Sequence, residues 1–595
     1  MLAFLDDLNQ AQGAQARVML AGLYEHSDWI VDRVLAQRES SGKPFVSLAQ
    51  LKHACCAVVQ AASRQEKLAL LQAHPELAGR AALAGELGDA SAREQSRSGL
   101  QACSPEEFEA FHALNRAYRE RFGWPFILAI GGPRAQGLCR SEILAVWRRR
   151  LDQTPACEFA ECLRQVHRIA ELRLNERAGF RPVDGEAVWD WAEELARFSE
   201  DDASARGELT VTYLTAAHRQ CAQQLHAWMR DCGFDEVEHD ALGNVVARYW
   251  GEAGSQSRRL LTGSHFDTVR NAGKYDGRLG ILAAMRLVAL QRERRRRWPF
   301  TLELIAFAEE EGQRFATSFL SAGAIVGQWD PGVLQRRDAA GLSLEEALRS
   351  AGLDPQGAAA LARKPDQVLG FLEVHIEQGP VLHTLDLPLG VVTSINGSVR
   401  MLVDLEGTAS HAGTTPMAMR RDAACAAAEV VRHVEERCAA EDGLVGTVGM
   451  LQVPSGSINV VPVRCSFSLD VRAPSDAQRD GAVADIFRHL DQVCSRRGIG
   501  KRVDTLMSVP AAPSDPALQA AWERVVDSLG LSVHRMCSGA GHDAMRMALL
   551  CPQAMLFLRC GNGGISHNPL ETVTADDAQL AVDALDRMLE QLSRQ

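Results

Sequence analysis

No run of about 18 apolar residues occurs anywhere in the 595-residue chain, so no segment reads as a membrane-spanning helix. The first ten residues, MLAFLDDLNQ, carry acids but no basic residue, which is not the pattern of a secretory signal. Fifteen cysteines are present, yet no two stand as C-x-x-C, and Cys55-Cys56 sit in an apolar helical stretch where buried thiols are expected. Reduced thiols and a cytoplasmic location follow as expectations. Internal repeats and low-complexity segments are lacking too. An excess of basic charge is also missing: the net charge of −12 disfavours nucleic acid as a partner. The run Arg294-Arg295-Arg296-Arg297 is the local exception. It lies between an apolar helical pattern and the strand-like TLELIAFA, and reads as a solvated helix end.

What is there is an ordinary globular composition, 46% apolar and 24% charged, spread over more residues than one core usually supports. At least two domains are required. Residues 1 to about 175 read as helix, with LAQLKHACCAVVQAA and PEEFEAFHALNRAYRERF placing apolar residues three and four apart. Ser104-Pro105-Glu106-Glu107 has the capping serine, first-turn proline and acids of a helix start. AGFRPVDG, from Ala178 to Gly185, has the punctuation of a linker. Beyond Thr210, helices alternate with apolar strands such as GNVVARY, RLLTGSH, TLELIAFA and LGVVTSI, the pattern of an α/β sandwich. Between Ser398 and about Ser508 a further set of strands and helices reads as a smaller inserted layer.

Histidines and carboxylates collect at the ends of the predicted strands. LLTGSHFDT puts His265 and Asp267 on one side of an extended segment, and KYDGRLG brings Asp276 into a glycine-flanked turn. AFAEEEGQRF ends an apolar strand in Glu309, Glu310 and Glu311, while FLEVHIEQGP supplies His375 and GISHNPLE supplies His567. Imidazoles and carboxylates without thiolate suit zinc, manganese, cobalt or nickel. Three histidines and three acids are the inventory for two ions sharing a bridging carboxylate, with one acid left as a general base. Each piece alone is more often a capping group or a solvated face. Five pieces at strand ends, each beside glycine or a turn, point to a metal centre.

Taken together, GSHFDTV, KYDGRLG, EEEGQRF, EVHIEQGP, GTASHAGTTPM, SGAGHDAM and ISHNPLE resemble the amidase/hydantoinase/carbamoylase family of dinuclear amidohydrolases, from about Val183 onward. The resemblance implies metal ligation by His265, Asp276 (bridging), Glu311, His375 and His567, with Glu310 as general base and Asp267 orienting His265. It gives Glu309 no chemical role. It also implies that the inserted layer is a dimerisation lid, in which Arg400, Asn459 and Arg472 contact the substrate allantoate and His411 reaches the scissile carbonyl from a partner subunit. Gln378 and His542 would line the same site.

In the helical half, AHPELAGR sets a histidine before proline, SAREQSRSGL offers Glu94 and Gln95, and RFGWPFILAIGGP breaks helix with an extended apolar run. With YEHSDW and LRQVHRIAELRL, these segments resemble the 2-oxo-4-hydroxy-4-carboxy-5-ureidoimidazoline (OHCU) decarboxylases over residues 4 to 175. Arg80 stands where lysine is common and Trp124 where phenylalanine is common. The resemblance implies His74 as the catalytic residue. It places substrate against Pro75, Ser91, Glu94, Gln95, the backbone of Phe126, Ile127, Ala129 and Ile130, and Arg173. No cofactor is implied there.

The expected architecture is therefore multidomain: an all-α decarboxylase domain over 1–175, a linker over 176–185, an α/β dinuclear metallohydrolase domain over 186–393 and 509–595, and an α+β dimerisation and lid domain inserted over 394–508. The expected function is bifunctional purine catabolism: OHCU is decarboxylated to (S)-allantoin, and allantoate is hydrolysed to ureidoglycine, ammonia and carbon dioxide by water activated between two divalent ions, zinc or manganese. Small ureides and a second copy of the chain are the expected partners, with no nucleic acid and no membrane. The alternative is an N-carbamoyl-L-amino acid or ureidoglycolate hydrolase whose helical half is only structural.

Overall fold

The computed structural model describes residues 2–77 and 105–594. Ser91, Glu94 and Gln95 lie outside the described residues, as does Arg80. The chain divides into two compact units. The first comprises residues 1–391, 520–534 and 556–595, and the second residues 392–519 and 535–555.

The first unit opens with eight helices and no strand among the described residues: α1 (Leu2–Gln10), α2 (Ala14–Leu20), α3 (Trp29–Ser41), α4 (Leu48–Ala61), α5 (Arg64–Gln72), α6 (Pro105–Phe122), α7 (Arg140–Leu151) and α8 (Pro155–Arg177). Their starts follow capping chemistry. Ser47 accepts the Gln50 N–H at the head of α4, Ser63 and Glu66 form a reciprocal capping box on α5, and Thr154 with Pro155 opens α8. Their apolar faces meet in one core that includes Leu51, Phe111, Trp147 and Val166. Phe126 stacks on Trp147 with ring centroids 4.2 Å apart, so the extended run after α6 is pinned into that core.

Helix α9 (Val183–Leu195) begins inside the segment read as a linker. Val183, Asp184 and Gly185 form its first turn, and Gly185 is buried. A Cβ at Gly185 would lie 1.9 Å from the Ala575 carbonyl oxygen. The glycine is thus the site of close approach between α9 and the C-terminal helix rather than a flexible joint.

The remainder of the first unit is built on a sheet of β1 (Glu236–His239), β2 (Val245–Tyr249), β3 (Arg259–His265), β4 (Thr301–Phe307) and β5 (Val368–Ile376), with the start of β6 (Leu389–Ile395) and the end of β12 (Gln553–Leu558), in the order β1-β2-β4-β3-β5-β12-β6. Strand β3 is central and pairs in parallel with both β4 and β5, so His265 and His375 leave the same edge of the sheet. Strands β2 to β5 are almost wholly buried, which is why they read as apolar runs instead of alternating ones. The helices that matter to the site are α10 (Ala216–Cys232), α11 (Arg278–Glu293), α12 (Val381–Leu385) and α13 (Ala575–Leu592). The four-arginine run caps α11 and is ion-paired: Arg294 to Asp586, Arg296 to Glu590 and Arg297 to Asp235.

The second unit holds a five-stranded antiparallel sheet of β7 (Gly397–Glu406), β8 (Val445–Thr447), β9 (Leu451–Gln452), β10 (Arg464–Ala473) and β11 (Gly500–Val509). Its core forms where the buried positions of β7 and β10 meet the helices Ala423–Ala439 and Asp476–Arg497.

No helix among the described residues is long and apolar enough to cross a membrane. All the described cysteines are free thiols.

Candidate functional site

Asp276 is the hub of the first unit's polar centre. It sits in the turn between β3 and α11, where Gly277 adopts φ +69° and a Cβ would lie 2.5 Å from the His265 carbonyl oxygen and 2.6 Å from its ring. Only glycine lets the turn pass this close beneath His265. One carboxylate oxygen of Asp276 is 3.9 Å from His265 Nε2 and 3.4 Å from His375 Nε2, and the other is 3.0 Å from His567 Nε2. Glu311 Oε1 lies 3.5 Å from His567 Nε2. The groups whose ligand atoms fall within 4.8 Å of one another include His265 with Asp276 and His375, Asp276 with Glu311 and His567, and His265 with Glu310 and Glu311.

The tautomers fit a metal. His265 Nδ1 donates to the Asp267 carbonyl at 3.1 Å and His375 Nδ1 to the Ile376 carbonyl at 2.8 Å, which turns each Nε2 toward Asp276, that of His375 also accepting the Gly277 N–H at 3.1 Å. Imidazole nitrogens and carboxylates thus converge across the cluster, the donor set of a divalent-metal centre. Burial, and then the Asp276 carboxylate, pushes Glu311 up to about 7. The two triads that share Asp276 could supply terminal ligands for two ions and one bridge between them.

Asp267 does more than face His265. Its carboxylate accepts the backbone N–H of Glu310 at 3.2 Å and of Glu311 at 3.1 Å, and so fixes the turn that aims both glutamates. Glu309 is fully buried, and burial pushes its carboxyl well up. Gln378, at φ 57°, donates its amide to Asp276 Oδ1 at 2.9 Å and stands 3.3 Å from His567 Nε2.

Two carboxylates in this centre are not evident from residue type and spacing. Glu571 accepts the N–H groups of Tyr275 at 2.7 Å and Asp276 at 3.0 Å, holding the hub from behind. Glu377 accepts the N–H groups of Val381 and Leu382 and so caps α12. Both letters stand inside quoted motifs, EVHIEQGP and ISHNPLE, but backbone capping leaves no spacing signature.

In the second unit, Arg400 on β7 and Arg472 on β10 are brought together by Asp470, at 3.1 and 2.9 Å, on the wall of a cavity of about 440 Å³. His411 bridges Val460, and the Ala412 N–H meets the Asn459 carbonyl at 2.9 Å, so His411 and Asn459 are neighbours on exposed backbone. His542 is buried, with its Nε2 2.8 Å from Ser538 Oγ.

In the helical half, His74 follows α5 and is buried, and its Nε2 is without a hydrogen bond among the described residues. Burial lowers its pKa to about 4; Glu25 opposes the shift, while Arg173 and His26 add to it. Arg173 Nη1 donates to Glu25 Oε2 at 3.0 Å. Glu25 and His26, from the YEHSDW segment, thus join His74 and Arg173. The extended run is held by two side chains: Arg150 donates to the Ile127 carbonyl at 2.7 Å, and Gln165 accepts the Ala129 N–H at 2.9 Å. Ala129, Ile130 and Arg173 line a cavity of about 420 Å³.

A two-triad centre at the edge of a mixed sheet is the geometry of a metallohydrolase. Residues 261–591 match the family model for Peptidase family M20/M25/M40, and the chain belongs to that family. Residues 9–175 match the model for OHCU decarboxylase, so the chain joins a lyase region to an amidohydrolase region. The N-carbamoyl-L-amino acid amidohydrolase of Geobacillus stearothermophilus is 35% identical over 412 residues, covering 69% of this chain and 99% of that protein. The probable allantoate deiminase of Oryza sativa subsp. japonica is 36% identical over 431 residues, covering 67% and 86%. Among solved structures, a putative amidohydrolase/peptidase from Burkholderia cenocepacia superposes with a TM-score of 0.63 at 32% identity, covering 69% of this chain and 98% of its own.

Proposed function

We propose that the chain serves urate degradation at two points, decarboxylating OHCU to (S)-allantoin and hydrolysing allantoate to ureidoglycine, ammonia and carbon dioxide. The observation that carries this reading is the fusion itself. An OHCU decarboxylase region makes allantoin, and ring opening of allantoin gives the linear ureide that an amidohydrolase of this kind can take. The ring-opening hydrolysis belongs to a separate enzyme.

For the amidohydrolase, His265, Asp276 and His375 would hold one divalent ion and Asp276, Glu311 and His567 the other, zinc or manganese. When bound, the ions supply charge that acidifies water and polarises a carbonyl. Glu310, its backbone fixed by Asp267, takes a proton from the attacking water and passes it to the leaving nitrogen. Arg400, Arg472 and Asn459 would receive the substrate carboxylate and ureido groups, a guanidinium fork matching the two carboxylate oxygens. His411 would steady the developing oxyanion. Exposed Met417, Met419, Leu451 and Ile458 support a homodimer formed through the second unit. We place the enzyme in the cytoplasm on the strength of its free thiols.

For the decarboxylase, the substrate's imine-containing ring accepts the electron pair released with carbon dioxide, and one proton is delivered to the same carbon. His74, neutral at pH 7, can steer the carboxylate or that proton. The Ser91, Glu94 and Gln95 side chains would hold the ring and ureido N–H groups.

The test is metal-reconstituted ammonia release from allantoate, N-carbamoyl-L-amino acids and ureidoglycolate. Preference for allantoate upholds the two-step assignment. Preference for a carbamoyl amino acid keeps the metal chemistry and removes the pathway reading.

A further inference from the structure

Helices α7 and α8 of the decarboxylase half carry two side chains that reach past their own core to the loops of the amidohydrolase centre. Arg149, on α7, donates from Nη2 to Asn562 Oδ1 at 2.9 Å. The other end of that amide, Nδ2, donates to the Leu570 carbonyl at 2.6 Å. Asn562 therefore ties the beginning of the 562–570 loop to its end, and His567 sits between the two ties. Asn562 and His567 both have positive φ, 52° and 53°, and the base of the loop is closed by the Gly561 N–H donating to the Thr572 carbonyl at 2.7 Å. The His567 side chain is 48% exposed, against 4% for His265 and 1% for His375.

The two ends of the loop are anchored differently. At its C-terminal end, Ser566 donates to Glu571 at 2.6 Å, and Glu571 receives the Asp276 N–H, so this end is secured from within the amidohydrolase half. At Asn562 the side-chain anchor is Arg149, a residue of the other enzyme. An amide has only one carbonyl oxygen and one NH₂, and a donor at Oδ1 fixes which end faces Leu570. With that donor removed, Oδ1 loses its partner and the amide is held by the Leu570 bond alone, a looser tie on the loop.

From this geometry we infer that Arg149 is a positioning residue for the amidohydrolase, orienting Asn562 so that the loop presents His567 to Asp276 and Glu311. The inference rests on the assignment of His567 as a metal ligand given above. A second contact on the same face, His383 Nε2 to Glu161 Oε2 at 2.9 Å, braces α12 just after Gln378. Glu161 also accepts from Gln165, whose oxygen holds the Ala129 N–H in the decarboxylase region, so substitution there would disturb both activities. Arg149 is the cleaner probe.

In the full-length chain, Arg149→Ala, Asn562→Ala, the double variant and His567→Ala should be loaded with zinc, and the metal retained against a graded chelator should be measured beside both activities. Residues that orient ligands in this way typically contribute 10–100-fold in metal affinity. One of two zinc ions should therefore be lost at about tenfold lower chelator strength in Arg149→Ala and in Asn562→Ala, with no further loss in the double variant. Decarboxylation should be unchanged in Arg149→Ala. Wild-type metal retention in Arg149→Ala, additive losses in the double variant, or an equal fall in decarboxylation would overturn the inference. His567→Ala separates this from failure of the underlying assignment: if it still holds two ions as tightly as wild type, His567 is not a ligand.

Discussion

Burial around His74, opposed by Glu25, brings its pKa from an ordinary 6.5 to about 4. Below pH 6.5 the unfolded chain takes up a proton at this position that the folded chain refuses until about pH 4. Stability is therefore full above pH 6.5 and falls as pH drops through that window, by about 1.4 kcal/mol per unit for one group. His74→Asn should reduce the slope of stability against pH between 6.5 and 4 by one proton, as read from urea midpoints at stepped pH. The same variant should abolish decarboxylation and leave amidohydrolysis intact; loss of both would remove the two-site reading. Glu310→Gln should keep its metal by elemental analysis and lose turnover about 10²–10⁴-fold. Loss of metal instead would exchange the roles of Glu310 and Glu311.

At this scale the sequence was most readable where candidate ligands converge. His265 and His375 end apolar strands while Asp276, Glu311 and His567 stand in turns and loops, and the structure gathers them. Glu25, Glu377 and Glu571 escaped notice because they partner an arginine or backbone N–H groups, contacts that leave no trace in residue type or spacing.

Among the elements, α9 shows how local punctuation misleads. Pro182 and Gly185 look like a joint, yet Pro182 is the cap of a helix and Gly185 is where that helix crosses α13. The requirement for glycine comes from Ala575, nearly four hundred residues further along the chain, and no local pattern can contain it. Strands β3 and β4 were legible because burial on both faces writes itself as an apolar run. Gly185→Ala should force α9 and α13 apart and cost about 1–3 kcal/mol, seen as a lower Tm, because the obstacle is backbone and cannot rotate away. An unchanged Tm would show that the crossing is looser than drawn. Gly277→Ala presses on His265 and should instead reduce metal content.

Across the first unit the two enzymes are joined by charge. Asp576, buried at the head of α13, receives Lys52 at 3.1 Å, Arg168 at 2.5 Å and Asn175 at 2.6 Å, all three from the decarboxylase half. Arg168 also donates to the Pro133 carbonyl in the loop after the extended run. Removing one partner of a buried ion pair leaves the other charge unpaired, which costs about 3–5 kcal/mol. Asp576→Ala should therefore lower the thermal midpoint of both activities together, followed by residual decarboxylation and residual amidohydrolysis after heating. If only one activity falls, the halves melt independently.

The crossing of α9 with α13 also sets an order of events during synthesis. Helix α9 leaves the ribosome just after the decarboxylase helices, whereas α13 is among the last segments made. At bacterial or eukaryotic elongation rates that gap is on the order of tens of seconds. For that interval the apolar face of α9, including Val188, Ala192 and Leu195, is only partly covered, by α11, and lacks α13. A nascent chain that stalls before α13 leaves Lys52, Arg168 and Asn175 without Asp576 and presents this face as a mark of unfinished work, open to chaperones and proteases.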